Sequence, residues 1–160
     1  MSTVARKKAL VAELAAKLRA ELDAMERAQR ATVEGATSEE AKPENDKDTR
    51  ALEQSYLARG QARRVEDLRE GVARVTAMPV RAFADDAAIA LGALVTIDED
   101  DGTSVLFIAP YGGGMRLESG EQVVTPASPL GQSLIGKVAG DDCEVVLAGR
   151  TRAFSISEVA

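Results

Sequence analysis

The chain has 160 residues, 45% hydrophobic and 29% charged, with a net charge of −6. It contains no His, no Trp and a single Cys, Cys143, which removes most Ser/His and Cys/His catalytic arrangements, the commonest transition-metal ligand and any internal disulfide. The length fits one domain or two small ones, and with only Tyr56, Phe83, Phe107, Tyr111 and Phe154 as aromatics the core must be aliphatic.

Charge is unevenly spread. Residues 1–75 carry 15 Lys and Arg against 14 Asp and Glu, whereas residues 76–160 carry 5 against 12. Such a C-terminal half should repel free nucleic acid, so stable binding to it is not expected, and a protein partner with a basic surface fits better. No apolar run approaches ~20 residues and the charged start Arg6-Lys7-Lys8 has no adequate apolar segment behind it, so neither a membrane span nor a signal peptide is expected. A lone cysteine suits a reducing, cytoplasmic compartment.

The first predicted element is a long helix over residues 4–34. Its apolar stripe reads Val4, Val11, Leu14, Leu18, Leu22, Met25 and Ala28, and weakens at Thr32. Gly35 is placed to end it. A second helix is expected over residues 47–75, with Ala51, Ala58, Val65 and Val72 on one row and Leu68 and Val75 on the other. About 30 residues per helix at ~1.5 Å each gives an arm of roughly 45 Å. Two such helices bury little, so the pair must lean on a second domain or a partner at its base.

Between them lies a polar segment with five carboxylates in residues 39–48: Glu39, Glu40, Glu44, Asp46 and Asp48. Thr37 and Glu40 have the spacing of a capping box, and Pro43 suits the first position of a helix. Glu44, Asp46 and Asp48 then fall near a helix N-terminus, where the dipole favours negative charge. Capping is one sufficient explanation of these acids. The other is that a helical hairpin tipped with carboxylates is a probe that carries metal-binding groups into a narrow space in another molecule.

After Met78-Pro79 the pattern changes to alternation. Strands are expected over residues 90–97 and 103–108, joined by the acidic turn Asp98-Glu99-Asp100-Asp101-Gly102, which lacks the ligand spacing of a calcium loop. Gly112-Gly113-Gly114 is a plain loop, without the Lys-Ser/Thr of a phosphate loop. A third strand falls on residues 122–125. A short helix follows, with Ser128 as N-cap, Pro129 at its first position and Gly136 as its terminator. A final hairpin joins residues 142–147 to 152–157.

Three segments carry a resemblance to a known family. Ser128-Pro129-Leu130-Gly131-Gln132-Ser133-Leu134-Ile135-Gly136-Lys137 is followed by Gly140-Asp141-Asp142-Cys143-Glu144-Val145, and upstream stands Leu91-Gly92-Ala93-Leu94-Val95-Thr96-Ile97. Together with the helical arm they resemble the Gre-factor family of bacterial transcription elongation factors. The resemblance implies an α+β protein: an N-terminal antiparallel coiled-coil hairpin over residues 1–76 and a C-terminal FKBP-like antiparallel sheet with a short helix over residues 77–160. It implies a monomer that binds RNA polymerase and is not itself an enzyme. The C-terminal domain would dock through Ser128, Pro129, Leu130 and Gly131, and the arm would enter the polymerase secondary channel. There Glu44, Glu40, Asp46 and Asp48 would act in trans, with Glu44 and Asp46 as ligands of an active-site magnesium ion, so that backtracked RNA is cut. The protein would need no cofactor of its own.

The tip departs from the family pattern. Cleaving members carry an acid three positions before a Glu-Asn pair; here Glu44-Asn45 matches the pair but position 41 is Ala. The aromatic residue usual soon after the pair is replaced by Asp48. A non-cleaving channel regulator or inhibitor, or an interaction protein like the regulators of nucleoside diphosphate kinase, is therefore the alternative. An FKBP-like isomerase is disfavoured, because only Phe83, Phe107, Tyr111 and Phe154 could line its pocket.

Overall fold

The computed structural model describes residues 2–37 and 49–160. Helix α1 spans Thr3–Thr37 and α2 spans Thr49–Ala77. Five strands and one short helix follow among the described residues: β1 (Leu94–Glu99), β2 (Gly102–Ile108), β3 (Gln122–Val124), α3 (Pro129–Leu134), β4 (Asp142–Leu147) and β5 (Arg150–Val159). The expected helical hairpin and sheet-plus-helix are both present. The helix runs through Gly35 to Thr37. Glycine permits a stop without enforcing one, at a cost of about 1 kcal/mol inside a helix.

The sheet order is β3-β2-β1-β5-β4. All neighbours are antiparallel except β2 and β3, which pair in parallel. The sheet is thus mostly antiparallel, as expected, with this one parallel pair. The reason is the connection: residues 109–121 form a crossover, and only a connection of that length can return a strand in the same direction. The turn between β1 and β2 tightens to Asp100-Asp101, since Glu99 already pairs with Gly102. Ala148-Gly149 joins β4 to β5 with both residues at positive φ, the primed geometry that matches strand twist. Arg152 of β5 clamps Glu99 of β1 with two hydrogen bonds of 2.6 and 2.8 Å, which holds the Glu99 carboxyl below its usual range.

The chain divides into two compact units, one of Met1–Ala15 with Ala73–Ala160 and one of Ala16–Val72. In the first, alternate residues of the strands send Val95, Ile97, Leu106, Ile108, Val124 and Ile156 into one aliphatic cluster with Leu130, Leu134 and Phe154. The intervening Leu94, Phe107 and Val123 are buried too. The ends of the long helices supply Leu10, Leu14, Val75 and Met78 to this unit. Leu10 was not on the predicted stripe.

Nor was Lys7, which is fully buried in the same unit. Its Nζ donates to the main-chain oxygens of Arg81 (2.8 Å) and Ala160 (2.7 Å) and lies 4.4 Å from the centre of the Phe83 ring. Arg81 stacks over the same ring at 3.9 Å. Burial, and secondarily the Arg81 charge, lowers the Lys7 pKa to about 8.

In the second unit Leu18, Val65 and Leu68 are buried, while Ala28, Val33, Leu52, Tyr56 and Leu57 are exposed. Ion pairs of 3.2 Å tie Arg64 to Glu21 and Arg69 to Glu26 across the helices. Each is solvent-exposed and contributes at most about 1 kcal/mol. Gly60 sits inside α2 with open space where a Cβ would stand.

Two stability predictions follow from these placements. Gly60→Ala should stabilise the chain by about 0.5–1 kcal/mol in urea unfolding, since alanine fits and favours the helix. For Lys7, the folded pKa of about 8 lies below the ordinary 10.5. Between these values the unfolded chain holds a proton that the folded chain has released, so stability rises with pH across that window; below it both states are protonated and the Lys7 contribution is constant with pH. Lys7→Met should cost about 1–3 kcal/mol at neutral pH, because it leaves the Arg81 oxygen unpaired and the Ala160 oxygen with only the Leu94 N–H. Its deficit against the parent should widen from pH 8 to 10.5 in denaturant titrations.

Candidate functional site

The acids proposed for the tip, Glu40, Glu44, Asp46 and Asp48, lie outside the described residues, as do most of the capping-box and Pro43 positions. Among the described residues no group of three or more Cys, Asp or Glu side chains could hold a metal ion. No helix there is long and apolar enough to cross a membrane.

The second candidate region, residues 124–137, is fully described. Its conformation follows from local hydrogen bonding. The Ser128 hydroxyl donates to the Thr125 carbonyl at 2.8 Å and accepts from the Gly131 N–H at 3.1 Å, so it caps α3 as the sequence predicts. Pro129 occupies the first turn, where its missing N–H costs nothing. Leu130 is buried in the aliphatic cluster. Gly131 is buried because the chain doubles back on it: an added Cβ would stand 1.9 Å from the Thr125 carbonyl oxygen. The Gln132 carboxamide returns to the Ala127 carbonyl at 3.0 Å. Gly136, at positive φ, ends the turn and donates to Ile89 at 2.9 Å, while the Ile89 N–H donates to Lys137 at 2.8 Å.

Of the four predicted contact residues, therefore, Leu130 and Gly131 face inward, Ser128 is occupied as a cap, and Pro129 is exposed. The outward side of the segment is completed by Gln132, Ile135 and Lys137, which fall within the 128–137 stretch that carries the resemblance but were not named individually. Pro129 and Gln132 lie on α3 itself, Ile135 is its non-helical C-cap and Lys137 follows; all four are exposed, whereas Leu130 and Leu134 are buried. Cys143 lies beneath this segment, its thiol 3.6 Å from the Ser133 carbonyl. Burial pushes that thiol up, so it is a packing group and a poor nucleophile. Phe83, Phe107 and Phe154 are all buried, leaving only Tyr111 partly accessible to line an isomerase-type pocket.

No family model matches the chain. Two curated relatives are the transcription elongation factors GreA of Rhodopseudomonas palustris strains TIE-1 and ATCC BAA-98 / CGA009. Each is 30% identical over 96 residues, 60% of this chain. The chain covers 60% of the length of these relatives. Among solved structures, GreA factor homolog 1 (Gfh1) of Thermus thermophilus aligns over 91% of this chain and 94% of its own, with 14% identity and a TM-score of 0.41. The GreA/GreB elongation factor of Nitrosomonas europaea aligns over 68% and 92%, with 18% identity and a TM-score of 0.38. Over those 96 residues the chain is similar to the GreA factors.

The packing at Gly131 is directly testable. Gly131→Ala should destabilise the protein by roughly 2–4 kcal/mol through the clash with Thr125. Ser128→Ala should cost about 1 kcal/mol as a lost cap. Urea unfolding of both, against Gln132→Ala as a near-neutral neighbour, reads the order.

Proposed function

We propose that this chain acts on RNA polymerase as a transcription elongation factor, an accessory protein inside the cell and not an enzyme in its own right. The observation that carries this reading is the 30% identity to the two GreA proteins over 96 residues. A helical hairpin whose two helices are joined by a carboxylate-rich sequence supports it, because such a sequence offers several oxygen ligands close together in the chain.

Residues 1–76 serve as the arm and residues 77–160 as the docking domain, working as a monomer without stable binding to free nucleic acid. The outward side of the 128–137 segment meets the polymerase: Pro129 with Gln132, Ile135 and Lys137, shaped by Ser128, Leu130 and Gly131. At the tip, Glu44 with Glu40, Asp46 and Asp48 act in trans, and Glu44 and Asp46 hold magnesium at the polymerase active site. The donor set fits that ion, since hard carboxylate oxygens suit magnesium and a cluster binds where one carboxylate does not. Magnesium held there would supply charge neutralisation for RNA cleavage. The carboxylates position it, and the protein needs no cofactor of its own.

A second reading rests on a specific feature. Ala41 stands where cleaving members of the family have an acid, and Asp48 stands where they have an aromatic residue. A tip so altered favours a regulator that enters the channel and perturbs metal or nucleotide binding without cutting RNA.

The combined variant Glu44→Gln, Asp46→Asn, Asp48→Asn should keep its melting temperature, and its polymerase affinity within about twofold, because the substitutions remove charge with little change of shape. It should lose the magnesium-dependent effect on a halted complex. Wild-type behaviour of this variant would reduce the acids to helix caps. Ile135→Asp with Lys137→Glu should weaken polymerase binding at least tenfold at unchanged stability; undiminished binding would remove this face from the interface.

A further inference from the structure

A cleft of about 290 Å³ in the larger unit has no part in the docking proposed above. It lies where the first turns of α1 meet the start of β2 and the end of the β2–β3 crossover. Arg6, Ser104, Arg116, Ser119, Glu121 and Gln122 contribute to its walls.

Its electrostatics are unusual for this half of the molecule, where acidic residues outnumber basic ones by 12 to 5. Glu121 is buried at 2% exposure and accepts from Arg6 Nη2 at 2.8 Å through Oε1. That contact fixes Arg6 and leaves the rest of its half-exposed guanidinium open. Glu121 Oε2 receives no hydrogen bond, so the carboxylate spends one oxygen on orienting Arg6 and makes no other contact. Arg116 is exposed and has no carboxylate partner among the described residues. With Glu121 neutralised by Arg6, Arg116 leaves the cleft net positive. Thr103 also lines it, but its hydroxyl is occupied by Asp98 at 2.8 Å. Among the described residues the hydroxyls of Ser104 and Ser119 have no such partner.

We propose that this cleft binds a small phosphate-bearing ligand through Arg6, Arg116, Ser104 and Ser119. Two guanidinium forks and two hydroxyls offer about six donors, more than the roughly four lone-pair sites of a carboxylate can accept. A phosphate group, with three terminal oxygens and a charge near −2, uses them all. A volume near the lower end of ligand pockets, about 300 Å³, suits a phosphate carried on a small organic group. Glu121 is a positioning residue, acting through Arg6. The inference is independent of RNA polymerase.

The test is a titration of the full 160-residue chain with inorganic phosphate, followed by backbone amide NMR shifts, with acetate at matched ionic strength as the carboxylate arm. Phosphate should give saturable shifts at residues 104, 116, 119 and 122, and acetate none that saturate. Arg116→Ala should weaken phosphate binding at least tenfold at unchanged melting temperature. Arg150→Ala, whose arginine lines a different cleft beside Glu99 and Asp100, should bind as the parent does. Absence of saturable shifts with phosphate, equal saturation by acetate, or undiminished affinity in Arg116→Ala would each overturn the proposal.

Discussion

The buried ammonium of Lys7 is the contact on which the larger unit depends. One side chain from the second turn of α1 reaches the chain just after α2 and the main chain beyond β5, through the oxygens of Arg81 and Ala160. It thereby joins three segments far apart in sequence around the Phe83 ring. A charge taken from water is expensive, and is retained where hydrogen bonds and a π face compensate it. Both carbonyls and the ring are supplied here, and the remaining cost is recorded in the lowered pKa. Around this node Leu10, Leu14, Val75 and Met78 join the strands in a single compact unit.

This arrangement changes what can be separated. A division at residue 76 assigns Lys7, Leu10 and Leu14 to the arm, yet these side chains are buried in the same compact unit as the sheet. A fragment beginning at residue 77 lacks them and leaves the Arg81 and Ala160 oxygens without Lys7. Experiments on docking therefore belong in the full chain, with substitutions on exposed positions such as Ile135.

Much of the fold was legible because periodicity records burial. Leu14, Leu18, Val65, Leu68 and Val75 were placed correctly by helical spacing, and Ser128, Pro129 and Gly136 by the chemistry of helix ends. Lys7 was not legible: a lysine beside Arg6 and Lys8 reads as a solvated charge, and only tertiary partners 74 and 153 residues away make it a core residue. The parallel pairing of β3 was hidden for a similar reason, since a three-residue strand carries no signal of its direction. In the 128–137 segment, sequence similarity picked out Ser128, Pro129, Leu130 and Gly131, of which Ser128, Leu130 and Gly131 build the turn. The exposed Gln132, Ile135 and Lys137 became visible only once the helix had a buried side. The free Arg116 and the buried Glu121 were likewise ordinary charges until the crossover brought them beside Arg6.

The proposed function rests on the acidic residues between α1 and α2 acting on another molecule. Its central claim is that this protein changes what RNA polymerase does with a backtracked transcript. The most direct measurement adds the wild-type chain to a halted, backtracked complex carrying RNA labelled at its 5′ end, over a series of magnesium concentrations. The account predicts binding and a magnesium-dependent change in the fate of the RNA, read as shortened, re-extendable transcripts, with prolonged arrest as the outcome of the non-cleaving alternative. A protein that neither binds the polymerase nor alters the transcript at any magnesium concentration would contradict it.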